Sequence, residues 1–203
     1  YTDLGNDVVN TRQTFNLASL SFESQELISF SVSHFTDRPI ENFDISDGTL
    51  IPAGNYDWWN AKLSLNTGLY RKLAAANSYT VGGFYDGDRQ QLSSKIVYRP
   101  TKRISIALDY SLNLIDWEHF DDSTINLVSG RFKYSFTPDL TLNNLVQYDD
   151  ISHSIGINSR LQWEYKPGAK MFFVFNQGYV DSMTGFVISD LEVVAKIGAL
   201  FRF

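Results

Sequence analysis

Apolar and polar residues alternate with a period of two along most of the chain, and the 3.6-residue period of an amphipathic helix is almost missing. Such a chain folds as strands. The clearest run is 104–114, where Ile104, Ile106, Leu108, Tyr110, Leu112 and Leu114 oppose Ser105, Ala107, Asp109, Ser111 and Asn113. The same split recurs at 155–165 and 193–203, and again at 59–65, 92–99 and 128–136. Segments near 12–22, 27–34, 78–85 and 140–148 alternate less cleanly, and 170–177 is apolar on both faces. The sum is about eleven strands, each able to pair antiparallel with the next.

No stretch approaches the roughly 20 apolar residues of a membrane-spanning helix. Strands of about 9–11 residues can nevertheless cross a bilayer when alternate side chains face lipid. The connections expected between strands fall into two alternating sets. Segments 23–26, 99–102, 136–139 and 165–168 are short and often contain proline, whereas 35–55, 86–88, 116–124, 149–153 and 178–190 are often longer and acidic. Only 68–77 breaks the rule, being long on the short side. Short turns at one end and long loops at the other are the asymmetry of outer-membrane barrels. The fold expected is therefore all-β, an antiparallel transmembrane β-barrel, with residues 1–203 forming its C-terminal portion. An odd count of eleven strands, against the even count of single-chain bacterial barrels, leads us to expect at least one further strand upstream.

Aromatic residues gather near the expected strand ends, where interfacial girdles form, and Trp59, Trp163, Tyr165, Phe201 and Phe203 are the interface candidates. Trp58, Trp117 and Tyr179 read as interface anchors or as sugar-stacking residues. Lys62, Lys95, Asp109, Arg131, Lys133, Arg160, Glu164 and Lys196 lie mid-strand on the opposite face. A Lys or Arg facing lipid at the midplane costs about 2–4 kcal/mol, so these eight are expected to line a wet lumen. In a soluble sandwich they would instead form its solvent face.

Several stretches together resemble a known family. Gly82-Gly83-Phe84-Tyr85-Asp86-Gly87-Asp88-Arg89, then Tyr98-Arg99-Pro100 and 134–140 with Val146-Gln147-Tyr148, then 158–168, are similar to the C-terminal barrel of a bacterial family of uncharacterised outer-membrane proteins. Those proteins typically carry an N-terminal carbohydrate-binding module of the family-nine type, which these residues lack. The resemblance covers roughly residues 56–180 and implies a barrel fold and an outer-membrane location with the C-terminus in the periplasm. The closing Ala199-Leu200-Phe201-Arg202-Phe203 resembles the terminal signal read by the barrel-assembly machinery.

Catalytic motifs are not found: there is no GxSxG, HExxH or phosphate-binding loop, and the chain has no cysteine. Gly82-Gly83 reads as close packing or a bend within a strand. His34, His119 and His153 fall toward the long-loop end and read as solvated loop residues. Asp44, Asp47, Asp86, Asp88, Asp121, Asp122, Asp149 and Asp150 make the long loops acidic, without the spacing of a calcium-binding EF-hand loop. A net charge of −6 argues against a nucleic-acid partner. The partners expected are outer-membrane lipid and lipopolysaccharide, the barrel-assembly machinery and other proteins of an envelope complex, with no cofactor. The leading function is a channel, anchor or transport component. The alternatives are an outer-membrane enzyme acting on lipid or glycan, and a soluble carbohydrate-binding sandwich.

Overall fold

The computed structural model describes residues 11–46, 49–68, 70–182 and 185–199. Among these, thirteen strands and no helix are found: β1 (Thr11–Ser21), β2 (Leu27–Asp37), β3 (Phe43–Ser46), β4 (Thr49–Ile51), β5 (Tyr56–Asn66), β6 (Leu73–Phe84), β7 (Gly87–Thr101), β8 (Ile104–Trp117), β9 (Ser123–Ser135), β10 (Leu140–Asp149), β11 (Ser154–Lys166), β12 (Ala169–Ser182) and β13 (Gly185–Ala199). Eleven of them form one sheet in the order β1-β2-β5-β6-β7-β8-β9-β10-β11-β12-β13, and β3 with β4 makes a separate hairpin. The eleven-stranded all-β antiparallel architecture agrees with the alternation in the sequence.

Tight connections explain why sequence neighbours are sheet neighbours. At 22–26 the Phe22 amide donates to the Glu26 carbonyl at 3.0 Å, and Gln25 takes φ 63°. At 167–168 Pro167 fixes the entry to the turn and Gly168 supplies φ 80°. The sheet's residues divide into two compact units. The first takes in 11–68, 75–94 and 111–126, the second 70–74, 95–110 and 127–199. In the first unit Ile51, Ile115, Trp117 and Ile125 form a buried apolar cluster. In the second, Val97 and Ala169 are buried.

Several expectations change. The connection expected at 68–77 is only 67–72, because β6 starts at Leu73, so the exception to the short set shrinks. The long loop expected at 178–190 is a hairpin: β12 runs to Ser182 and β13 begins at Gly185, with a register shift after Gly178 that accommodates Ser189. The last strand thus starts well before residue 193. With 85–86 also a two-residue turn, the length difference between the two sets narrows to one connection, 38–55, which contains β3 and β4. Acidic residues had mimicked loops there because charge and turn residues also occur at strand ends. The closing aromatics Phe201 and Phe203 and the terminal signal at 200–203 lie outside the described residues.

Candidate functional site

Register places the alternating residues of each strand on two chemically distinct faces. In the first unit, Ser29, Ser31 and Ser33 of β2 stand opposite Ser64, Lys62 and Asn60 of β5. Those in turn face Ser78, Thr80 and Gly82 of β6. Thr14 of β1 joins the polar face, its hydroxyl 3.0 Å from that of Ser33. The other face carries Ile28, Phe30 and Val32 against Leu65, Leu63 and Ala61, with Tyr79 and Val81 beyond.

The apolar face is the exposed one. Trp59, Leu63 and Leu65 are 54%, 43% and 46% exposed, while Ser33 and Asn60 on the polar face are each 5% exposed. A water-soluble sheet buries its apolar side, since an aliphatic side chain left in water forgoes roughly 1.5–3 kcal/mol of burial free energy. In the second unit Arg131, Lys133 and Arg160 on the polar face are exposed, and Ile96, Tyr98, Ile106, Leu108, Leu161, Trp163 and Phe173 on the opposite face are exposed too. Polar residues on this face are hydrogen-bonded to one another. Ser159 donates to Asn144 at 2.6 Å, and in the first unit Ser94 donates to Asn77 at 2.7 Å, which removes most of the penalty of an apolar surrounding.

On the polar face of the second unit the charges form connected rows. Asp109 of β8 takes Lys95 Nζ at 3.3 Å on one oxygen and Arg131 Nη1 at 3.2 Å on the other. Arg131, Leu145, Asn158, Asn176 and Glu192 then follow in register from β9 to β13. Asn158 donates to Asn176, which donates to Glu192 at 2.8 Å. The adjacent row holds Lys133, Asn143 and Arg160, and the Arg160 guanidinium lies 4.5 Å over the Phe172 ring. Lys196 stands opposite Phe172, and Glu164 pairs with Lys170 at 3.3 Å. A shallow cavity of about 280 Å³ lies among Ser105, Ala107, Arg131, Lys133, Asn143 and Asn158.

Of the eight charged residues singled out from sequence, Lys95, Asp109 and Arg131 are brought into one ionic network. Lys62 lies between Ser31 and Thr80 of the first unit. The alternation places Asn158 on the polar face, but the sequence reading missed Asn176, Glu192 and Lys170, although the parity of β12 and β13 would have placed them. Among the interface candidates, Trp59 sits on the apolar face with its ring 4.6 Å from His34 and 6.4 Å from Phe15. Trp163 and Tyr165 pack edge to face at 6.0 Å on the apolar face of β11.

Trp58 and Trp117 are not interface anchors. Trp58 shares the face of Asn60 and Lys62 and stacks on Phe35 at 5.4 Å. Trp117 is 4% exposed, and its Nε1 donates to Ser123 at 3.0 Å. Both belong to an aromatic group at the loop end with Tyr56, Phe84, Tyr85 and Phe120. Burial, together with the hydrogen bond its hydroxyl donates to Asp37 at 2.7 Å, pushes the Tyr85 phenol well above the usual tyrosine range. The histidines do not assemble a catalytic set. His34 lies near Asp57 at 3.5 Å on the apolar face, and His119 lies 3.7 Å from Asp86 in the 118–122 connection. Beside His153, the Ser152 and Ser154 hydroxyls bond each other at 2.7 Å. Among the described residues no group of three metal-ligating side chains comes together.

No family model and no curated protein matches the chain. Among solved structures it is similar to the KdgM porin, with 14% identity over 96% of this chain and 99% of that one at a TM-score of 0.39. It is likewise similar to the NanC porin, with 12% identity over 95% of this chain and 93% of that one at a TM-score of 0.40. The KdgM porin has also been solved in complex with disordered oligogalacturonate.

Proposed function

We propose that the chain is a channel-forming outer-membrane β-barrel of a bacterial envelope, with its apolar face against lipid and its polar face lining an aqueous path. The observation that carries this reading is the inverted burial of the first unit's strands, where Ser33 and Asn60 are withdrawn from the exterior while Trp59, Leu63 and Leu65 are presented to it. Backbone groups at strand edges must be satisfied within a bilayer, so β1 and β13 at the ends of the sheet order require pairing by closure. Outer-membrane lipid would cover the apolar belt, the barrel-assembly machinery would insert it, and the short 167–168 and 102–103 turns would lie in the periplasm along with the C-terminus.

The charged face supports a solute preference. Six of the eight mid-strand charges are cations, namely Lys62, Lys95, Arg131, Lys133, Arg160 and Lys196, against Asp109 and Glu164. Rings and rows of one sign select for counter-charged solutes in a narrow aqueous path. The proposed cargo is therefore a small anionic, hydroxyl-rich solute, which the asparagine row can hydrogen-bond. Reconstituted in a planar bilayer under a KCl gradient, the protein should give discrete conductance with a reversal potential favouring chloride. Arg131→Glu should shift that potential toward potassium. Solubility without detergent and no conductance would overturn the reading.

A further inference from the structure

We propose that the β3–β4 hairpin is a constriction folded onto the polar face, and that it, more than the charged rows, sets the largest solute able to pass. This rests on the channel reading above. The connection that carries it spans 38–55, whereas every other connection between strands holds two to six residues. Loops of that length in compact proteins either carry function or lack structure, and this one has its own structure. Phe43 pairs with Ile51 and Asp44 with Leu50. The Ala53 amide donates to Asn42 Oδ1 at 2.8 Å, the Gly54 amide to the Pro39 carbonyl at 3.2 Å, and the Tyr56 hydroxyl to the Pro52 carbonyl at 2.9 Å.

The hairpin is docked on the sheet. Ile51 is fully buried against Ile115, Trp117 and Ile125, and Phe43 meets the Tyr85 ring at 5.5 Å. Tyr56 supplies the platform beneath it, with its ring 5.1 Å from that of Tyr85. Unbroken register along β5 puts Tyr56 and Trp58 on the face of Asn60 and Lys62, which is the polar face. An aromatic platform at one end of an otherwise hydroxyl- and charge-lined face has no purpose in a uniformly wet path. It gives an apolar hairpin a surface to bury. The hairpin then occupies space at the loop end that water or solute would otherwise fill.

The test is single-channel conductance and exclusion of polyethylene glycols of graded size, in planar bilayers. Three proteins are compared, each confirmed as folded by its heat-dependent gel shift: the unaltered chain, a variant with 42–53 replaced by a short Gly-Ser linker, and Ile51→Asp. The point variant places a carboxylate in the apolar seat and undocks the hairpin without removing it. Both variants should conduct about twofold or more above the unaltered chain and admit larger polymers. Unchanged conductance and unchanged polymer cut-off in the folded variants would overturn the constriction while leaving the channel intact. If all three fold in the membrane and none conducts, the channel reading itself fails, and the constriction falls with it.

Discussion

Gly82 shows how far a single residue is fixed by its surroundings. Its φ is +148°, and a Cβ there would collide with the Trp59 carbonyl and with the Asn60 side chain. The side-chain amide of Asn60, oriented with its nitrogen toward the Trp59 and Gly83 carbonyls, bonds both at 3.0 Å, which holds β5 and β6 together at this point. The Gly-Gly pair was legible as a place of close approach, but the partner was not, because nothing in the sequence says which backbone crosses there. Gly82→Ala should lose about 1–3 kcal/mol, the usual range for forcing a side chain into a glycine conformation. The measurement is the urea midpoint of the vesicle-inserted protein; a midpoint equal to that of the unaltered chain would show that β6 can relax away from β5. Trp58 and Trp59 teach a related lesson. Adjacent in sequence, they take opposite faces, so proximity to a strand end does not by itself make a tryptophan interfacial.

At the scale of the element, alternation located all eleven strands of the sheet and failed where an extra residue or a cross-face contact disturbed it. In β1 the pairing shifts between Asn16 and Ala18, so that Leu17 is extra and the faces resume correctly with Ala18 and Leu20 opposite Phe30 and Ile28. The bulge makes an orderly strand look irregular on the page. In β12 both faces read as apolar because Phe172, on the polar side, lies beneath the Arg160 guanidinium. The 38–55 connection was legible as long, but its docking was not, since the platform is assembled from four separate stretches of chain. The face assignment can be tested on β11. Leu161→Arg should cost about 2–4 kcal/mol in vesicles if that side meets the bilayer midplane, and Gln162→Arg, on the opposite face, should stay within about 0.5 kcal/mol. Equal costs measured by urea unfolding would contradict the assignment.

For the whole molecule, two separate properties of the same sheet bear on the proposed location and transport. The exposed apolar face calls for lipid, because contiguous apolar surface of this extent is not kept in water by a soluble monomer. The connected rows of Lys95, Asp109, Arg131, Asn158, Asn176 and Glu192 call for water and solute on the other side. Strand count and face chemistry were both readable from the sequence; the hydrogen-bonded rows needed the registers, which alternation alone does not specify. The chain has no cysteine, so single nitroxide labels can be introduced without background. The most direct test of the central claim is electron paramagnetic resonance accessibility along β5 in lipid vesicles. Labels at 61, 63 and 65 should collide freely with dissolved oxygen and little with a water-soluble nickel chelate, whereas labels at 62 and 64 should show the reverse. Nickel access at 61, 63 and 65 equal to that at 62 and 64 would mean that the apolar face does not meet lipid, and the membrane-channel account would be wrong.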